Sequence, residues 1–520
     1  MMNNLHEDPG IKKHQQIYNP FLPLDEYIPD GEPHVFGGRV YLFGSHDREG
    51  GTEYCELDYV AYSAPVDDLT NWRYEGYIYS SRQDPDYSPT ERYMYAPDVV
   101  QGNDGRYYLY YNLQTSKAHN QPLSVAVCDT PAGKYAFYGH VKNHDGSPFL
   151  RCLVGDPALI NDEGIIRLYY GWSLSMTTAA AHGDDIPEEY KNRPQSDITI
   201  PEGIINAEMM VFRRSREEIE KEADHSIMGA NTAVLADDML TVKEGPARIV
   251  PGEFTAAGTS FEGHAFYEAS SIRRINGLYY FIYSSQLSQE LCYAVSKYPD
   301  RDFIYGGTII SNGDEGYRGR KPEDRLNMTA NNHGSVECVN GKWYVFYHRH
   351  THNSTFSRQA CAEPVVILPD GTIPQVEISS CGLNGGPLAA QGEYPAVIAC
   401  NITNGKMPQI TNRVLNADIP FVTHDKRDRY ITGIKDGVMI GYKYFAFNGP
   451  MLLTIKTRGN GEGSFRVTTD TGGLGEIKLT QSDTWNDTTA LIEAYETAAL
   501  YLTYHGSGSV ELLSIRFGKE

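Results

Sequence analysis

One short phrase recurs five times along this chain, and nothing else limits its fold as strongly. A turn dipeptide ending in glycine is followed by a strand rich in tyrosine. It reads Gly-Gly-Arg-Val-Tyr-Leu-Phe over residues 37–43 and Asp-Gly-Arg-Tyr-Tyr-Leu-Tyr over 104–110. It returns as Glu-Gly-Ile-Ile-Arg-Leu-Tyr over 163–169, Asn-Gly-Leu-Tyr-Tyr-Phe-Ile over 276–282 and Asn-Gly-Lys-Trp-Tyr-Val-Phe over 340–346. Asn, Asp or Gly before Gly tolerates the positive φ of a tight hairpin turn. The turn glycines Gly38, Gly105, Gly164, Gly277 and Gly341 are spaced 67, 59, 113 and 64 residues apart. Three intervals agree, and the long one places an insertion between Gly171 and about His264. Four-stranded blades need roughly 40–50 residues plus loops. Five hairpins at this period predict an all-β chain that opens with a five-bladed β-propeller. Within the insertion, the charged stretch from Ser215 to His225 has no apolar stripe, which predicts a solvated surface helix or lid.

The wider composition narrows the function. With 45 Lys+Arg against 67 Asp+Glu the net charge is −22, so no nucleic-acid partner is expected. No run of 18 apolar residues exists, so no membrane span is expected. The first 20 residues lack the apolar core of a secretory signal, and the eight cysteines form no CxxC pair. Sparse thiols and no visible leader predict a cytoplasmic protein.

A polar or ionisable residue precedes each turn glycine at nearly the same offset. Asp30, Asp98, Asp156, Glu268 and His333 stand eight, seven, eight, nine and eight residues before their glycines. The first strand of each propeller blade lines the central channel, so these five side chains are expected to converge at one mouth of it. Gathering carboxylates is electrostatically costly and pushes their pKa values apart, which separates an acid from a base. Two carboxylates across a neutral, Tyr-lined pocket suggest glycoside hydrolysis. His46 and Asp47 end the second strand of the first hairpin, and Trp172 ends the third repeat. All three are candidate pocket walls, although core packing would explain Trp172 equally well.

These residues carry a resemblance to glycoside hydrolase family 43. The resembling phrases are Tyr27-Ile-Pro-Asp-Gly-Glu-Pro-His-Val-Phe36, Met94-Tyr-Ala-Pro-Asp-Val99, Gly155-Asp-Pro-Ala158 and Tyr267-Glu-Ala-Ser-Ser-Ile272. Asn331-Asn-His-Gly-Ser335, Tyr347-His-Arg-His350 and the segment Val242 to Pro251 complete it, over residues 18–380. The resemblance implies a five-bladed propeller that inverts the anomeric centre. It implies Asp30 as general base, Asp98 as the carboxylate that tunes the acid, and Glu268 as general acid. Asp30-Gly31 stands where Asp-Pro is usual, which brings in Glu32 as the alternative base; the strand register favours Asp30. His333 resembles an axial histidine that contacts calcium or a water cluster, so calcium is expected near His333 or in the C-terminal domain. Arg349 resembles a substrate-positioning arginine, and Asp156, His46, Asp47 and Trp172 are expected on the substrate. The implied activity is release of terminal α-L-arabinofuranose or β-D-xylose from plant cell-wall oligosaccharides: arabinoxylan, arabinan or xylo-oligosaccharides. An endo-acting arabinanase or xylanase and a non-catalytic sugar-binding propeller are the alternatives. A retaining fructosidase would need an Asn-Asp-Pro phrase that is absent.

After Asp370-Gly371 the aromatic repeat stops. Residues 1–380 are thus expected to form the propeller. Residues 381–400, rich in Gly, Pro and Ala, are expected as a linker. Residues 401–520 alternate like a β-sandwich. That last part resembles a family 6 carbohydrate-binding module through Gly441-Tyr-Lys-Tyr-Phe445, Thr457-Arg-Gly459 and Ser514-Ile-Arg-Phe517. Trp485 and Tyr495 are its only suggestive sugar-stacking aromatics, and either could equally be packing.

Overall fold

The computed structural model describes residues 16–90, 92–114, 122–149, 155–173, 175, 177, 215–217, 229–416, 418–426 and 428–519. Each sequence repeat opens one antiparallel sheet. Blade I holds β1 (Glu32–Phe36), β2 (Arg39–Phe43), β3 (Tyr59–Pro65) and β4 (Arg73–Tyr79). Blade II holds β5 (Tyr93–Gln101), β6 (Tyr107–Gln114), β7 (Ser124–Cys128) and β8 (Ala136–His140). Blade III holds β9 (Ala158–Asp162), β10 (Ile165–Trp172), β11 (Gly229–Leu235) and β12 (Val242–Pro251). Blade IV holds β13 (Phe266–Ile275), β14 (Leu278–Ser285), β15 (Glu290–Ser296) and β16 (Ile304–Ser311). Blade V has β17 (Ser335–Val339), β18 (Lys342–His350) and β19 (Arg358–Val365). The innermost strands β1, β5, β9, β13 and β17 pack against one another in cyclic order, so they surround one axis.

The long interval between glycines holds less insertion than the spacing suggested. β11 and β12 fall within it and are the outer half of blade III. The insertion proper lies between β10 and β11. Most of the helix expected over 215–225 lies outside the described residues.

The apolar core is divided among the interfaces between blades. Tyr108, Tyr110 and Val125 of blade II meet Leu159, Leu168 and Ala233 of blade III. Equivalent clusters join blades III and IV, IV and V, V and I, and I and II. Strand alternation supplies them, because side chains of one strand point in turn to opposite faces of its sheet. The open edge of β19 is covered by the chain's own start. Phe21 N–H donates to the Ala360 carbonyl, and Asn19 brackets Ala362, with Oδ1 accepting its N–H at 3.1 Å and Nδ2 donating to its carbonyl at 2.9 Å. This clasp ties the propeller's two ends together.

A two-sheet sandwich follows. One sheet is ordered β20 (Leu388–Ala389), β25 (Met439–Ala446), β30 (Thr497–Ser507), β27 (Glu462–Thr468), β28 (Gly473–Lys478), with β22 (Asn401–Thr403) also on β25. The other is ordered β23 (Phe421–Asp425), β24 (Asp428–Ile434), β31 (Val510–Gly518), β26 (Gly449–Gly459), β29 (Ser482–Ala494), with β21 (Gly392–Pro395) also on β31. The expected linker over 381–400 is therefore corrected. β20 and β21 belong to the sandwich sheets, and Ala396, Val397 and Ile398 are buried in its core. Of the glycines there, Gly382 stands directly against Asn19, where a side chain would collide. Trp485 lies against Tyr430 and under the Arg458 guanidinium, whereas Tyr495 is 64% exposed.

Candidate active site

A cavity of about 330 Å³ at the mouth of the channel gathers Asp30, Asp156, Glu268 and His333. Aromatic walls come from Tyr54, Tyr95, Trp172 and Tyr267, and polar ones from Ser288, Asn331 and Arg358. Strand ends explain the convergence. Asp30, Asp156 and His333 each stand six residues before the last residue of β1, β9 and β17. Glu268 stands seven before the end of β13, where the pairing with β14 slips by a bulge that takes up the extra residue. Asp30 (φ 57°), Asp156 (φ 47°) and Ala269 (φ 70°) all have left-handed backbone. Such conformations are unfavourable for residues with a Cβ and concentrate at functional sites. At Ala269 the twist aims its N–H at Asp156 Oδ2, 2.9 Å away.

Asp98 does not join this group, which corrects its expected place beside Glu268. Its Oδ1 accepts from Val99 N–H and lies 2.6 Å from His34 Nε2, while its Oδ2 accepts from Leu159 N–H. It sits a layer away with Glu32 and His34, where Glu32 Oε2 takes an Arg273 hydrogen bond at 3.1 Å. The reason is turn length. Four inner hairpins turn over two residues, but β5 and β6 are joined by five, 102–106. Counting back from Gly105 by the same offset therefore falls short. Six residues before the end of β5 stands Tyr95, which does line the cavity. The same geometry separates Asp30 from its alternative. Asp30, Glu32 and His34 alternate down one strand face, and only Asp30 reaches the cavity.

The carboxylates have opposite electrostatic surroundings. Burial works against ionising Asp30, but the Arg358 guanidinium, with Nη1 2.8 Å from Oδ1, outweighs it and holds the carboxyl well below the usual range. His348 fixes the backbone instead: its Nδ1 accepts from Asp30 N–H at 3.3 Å, and its Nε2 lies 3.1 Å from the Asn331 carbonyl. That pattern is the neutral Nε2–H tautomer, in keeping with burial drawing His348 down to about 4. Arg358 acts on Glu268 only weakly. Burial, then Asp156, then Asp30 push it up to about 8. Asn331 Oδ1 lies 3.1 Å from His350 Nε2, so Oδ1 accepts there and the amide N–H faces Glu268. Asp156 is itself raised, first by burial, with His333 opposing and Asp30 adding to it.

The remaining expected contacts divide. Trp172 lines the cavity beside Tyr267. Asp47 does not; both of its oxygens bind Arg358, at 2.8 and 3.0 Å, so it steers the guanidinium onto Asp30. His46 turns away, its Nδ1 on the Asp58 carbonyl and its Nε2 3.6 Å from Glu26. Arg349 is buried, with Nη2 donating to the carbonyls of Ala399 and Cys400 at 3.1 Å. It alternates with His348 on β18, so when one faces the channel the other faces the sandwich junction. Arg358, Tyr54, Tyr95, Tyr267, Asn331, His348 and Ser288 were not anticipated, and neither were Thr411 and Asn412, which reach the cavity from beyond the propeller. The parity of β18 could have exchanged Arg349 for a channel-facing neighbour; the others carry no local signal.

Several groups of three ligand-type side chains could hold a metal ion: Glu49, His352 and His424; His264, Glu290 and Cys292; Glu32, His34 and Asp98; Asp84, Asp86 and His140. His333, expected as a metal contact, belongs to none of them among the described residues. Calcium takes about six to eight oxygens. His333 offers nitrogen, 3.8 Å from Asp30 and 3.9 Å from Asp156, whose oxygens already accept from Arg358 and Ala269. These donors do not fit calcium directly.

One buried carboxylate paired with a guanidinium and another set beside a like charge, facing an aromatic-walled cavity, supply the base and the acid that glycoside hydrolysis needs. The sequence model of glycosyl hydrolases family 43 matches residues 19–186 and 210–373, and the chain belongs to that family. A "Xylosidase/arabinosidase" of Thermoclostridium stercorarium is 44% identical over 517 residues, spanning 96% of this chain and 98% of that protein. A "Xylosidase/arabinosidase" of Bacteroides ovatus is 27% identical over 342 residues, 63% of this chain and 87% of that one. "Xylosidase/arabinosidase 43A" of Humicola insolens is 28% identical over 341 residues, 62% and 88%.

Proposed function

We propose that this protein is an exo-acting, inverting glycosidase that releases terminal β-D-xylose or α-L-arabinofuranose from hemicellulose-derived oligosaccharides. The observation that carries the reading is the opposed surroundings of Asp30, paired with Arg358, and Glu268, buried beside Asp156, in one small cavity. The names of the relatives supply the sugar class. In the reaction, Asp30 takes a proton from water as the water attacks the anomeric carbon, and Glu268 gives its proton to the departing oxygen. Asp156 keeps Glu268 protonated near neutral pH by like-charge repulsion, the part first expected of Asp98. Arg358 keeps Asp30 ionised and pointed. A base this acidic suffices because the attacking water needs to lose its proton only as the C–O bond forms on an oxocarbenium-like centre. Tyr54, Tyr95, Trp172 and Tyr267 offer flat faces to a sugar ring.

The test is initial rates on aryl β-D-xyloside and aryl α-L-arabinofuranoside, with the anomer of the first product followed by NMR. Turnover that drops about 10²–10⁴-fold in Asp30→Ala, with inverted product, supports the reading. A retained anomer refutes single displacement.

A further inference from the structure

The catalytic cavity adjoins a second one of about 490 Å³, and the two share Tyr54, Tyr95 and Asn412 as wall residues. Most of the second cavity's wall comes from the propeller, through Thr52, Glu53, Tyr54, Tyr95 and Phe356. The rest is Asn412, Arg413 and Val414, which the chain supplies after leaving the propeller. This segment is strapped across the mouth at several points. Gln409 pairs with Thr329 and donates to the Leu287 carbonyl at 2.8 Å. Arg413 N–H donates to Thr355 Oγ1, and its carbonyl accepts from Thr355 N–H, both at 3.2 Å. Leu415 N–H donates to the Asn353 carbonyl, and its own carbonyl accepts from Asn353 Nδ2 at 3.0 Å. Asn412 stands at the crest of the strap with φ 46°.

We propose that residues 411–414 form one wall of the subsite that holds the leaving sugar, opposite Glu53, Tyr54 and Phe356. The assignment rests on the hydrolase reading above. The second cavity adjoins the one that holds Asp30, Asp156 and Glu268, so a glycoside bound across the cleaved bond must extend somewhere beyond the carboxylates. The shared wall residue Tyr54 has the Arg358 guanidinium 4.7 Å from its ring centroid, and the Glu268 charge also acts on its phenol, so the opening lies directly beside the catalytic groups. The chemistry of the walls suits a neutral sugar ring. The Tyr54 and Phe356 rings, 4.7 Å apart and nearly edge to face, offer C–H contact, and Glu53 and Asn412 offer hydrogen bonds to hydroxyls. The C-terminal region thus helps to choose which glycoside is cleaved.

The experiment compares kcat/KM on a pentose disaccharide with kcat/KM on the aryl glycoside of the same terminal sugar, in the full chain. The variants are Asn412→Gly, which removes the side chain and keeps a left-handed backbone easy, and Glu53→Gln on the opposite wall. The ratio of disaccharide to aryl activity is expected to fall by about two- to ten-fold in each, the worth of one hydrogen bond to a neutral group. The loss should lie chiefly in KM, and a misplaced fold would lower both substrates alike. A ratio unchanged in both variants overturns the subsite. A parent chain that cleaves neither substrate overturns the hydrolase reading itself, and the subsite with it.

Discussion

Replacing Asp156 by Asn should move the alkaline limb of the pH–rate profile downward, and replacing Asp98 by Asn should not. That limb in kcat/KM reports the free enzyme's general acid. Glu268 sits at about 8 through burial first and Asp156 second. Two carboxylates sharing a small cavity at an effective dielectric of about 20 repel by about 2–4 kcal/mol, or about 1.5–3 pH units. Part of this is offset by His333, which faces Asp156 at 3.9 Å. The expected displacement is therefore about one to two units, with burial leaving the residual elevation. Asparagine keeps an oxygen for the Ala269 N–H, so the site's geometry is preserved. Asp98→Asn alters a carboxylate held by His34, Val99 and Leu159 in another layer, so it should reduce stability and leave the limb in place. The substrate should be a disaccharide, whose departing alcohol needs the acid's proton. A limb that stays put in Asp156→Asn, or that moves equally in Asp98→Asn, would refute the assignment of the repulsion.

Three further outcomes follow from the same structure. Arg358→Met should raise the acidic limb, because Asp30 loses the cation that keeps it ionised, and kcat/KM should fall; an unmoved acidic limb would remove Arg358 from that role. Glu268→Gln should stabilise the fold relative to the parent as pH rises. The raised Glu268 contributes stability below the ordinary carboxylate range and loses it as pH approaches about 8, so the difference in melting temperature should grow from pH 5 to pH 8.5, and a constant difference would contradict the elevation. Asn19→Ala should lower the unfolding free energy by about 1–3 kcal/mol in urea titrations, since the buried Ala362 N–H loses its acceptor; a loss under ~0.5 kcal/mol would mean the clasp is not structural.

The fold was legible because its signal is local. Each repeat carries its own turn and its own alternation, and a hairpin needs no information from the rest of the chain. Asp30, Glu268 and Trp172 stand where the repeat placed them, since their hairpins turn over two residues. The longer turn of blade II hid the fact that its channel-mouth residue is Tyr95. Arg349 was chosen from a His-Arg-His phrase, and the face it occupies depends on which of the three turns inward. Arg358 opens β19, and Asp47 fixes its direction from 311 residues away in sequence. No periodicity encodes such a pairing. Segment 381–400 read as a linker because composition reports glycine and proline but not the sheets they join.

The two domains behave structurally as one body, and this bears on what the C-terminal region is for. Lys443 of the sandwich is buried and reaches Glu377 at 2.9 Å and Asp314 at 3.3 Å on the propeller side. Arg429 grips Glu49 with two hydrogen bonds, at 2.9 and 2.7 Å. Met407, Ile410 and Ile419 bury against Met328 and Ala330 under the strap. Burying an ammonium costs several kcal/mol unless its partners are in place, so a sandwich that swung away would leave Asp314 and Lys443 unpaired together. A tethered module that only captures polysaccharide gains nothing from this, because it works best on a free linker. Rigid docking instead holds the strap over the mouth of the channel, where a displacement of about 1 Å would already matter to a bound glycoside.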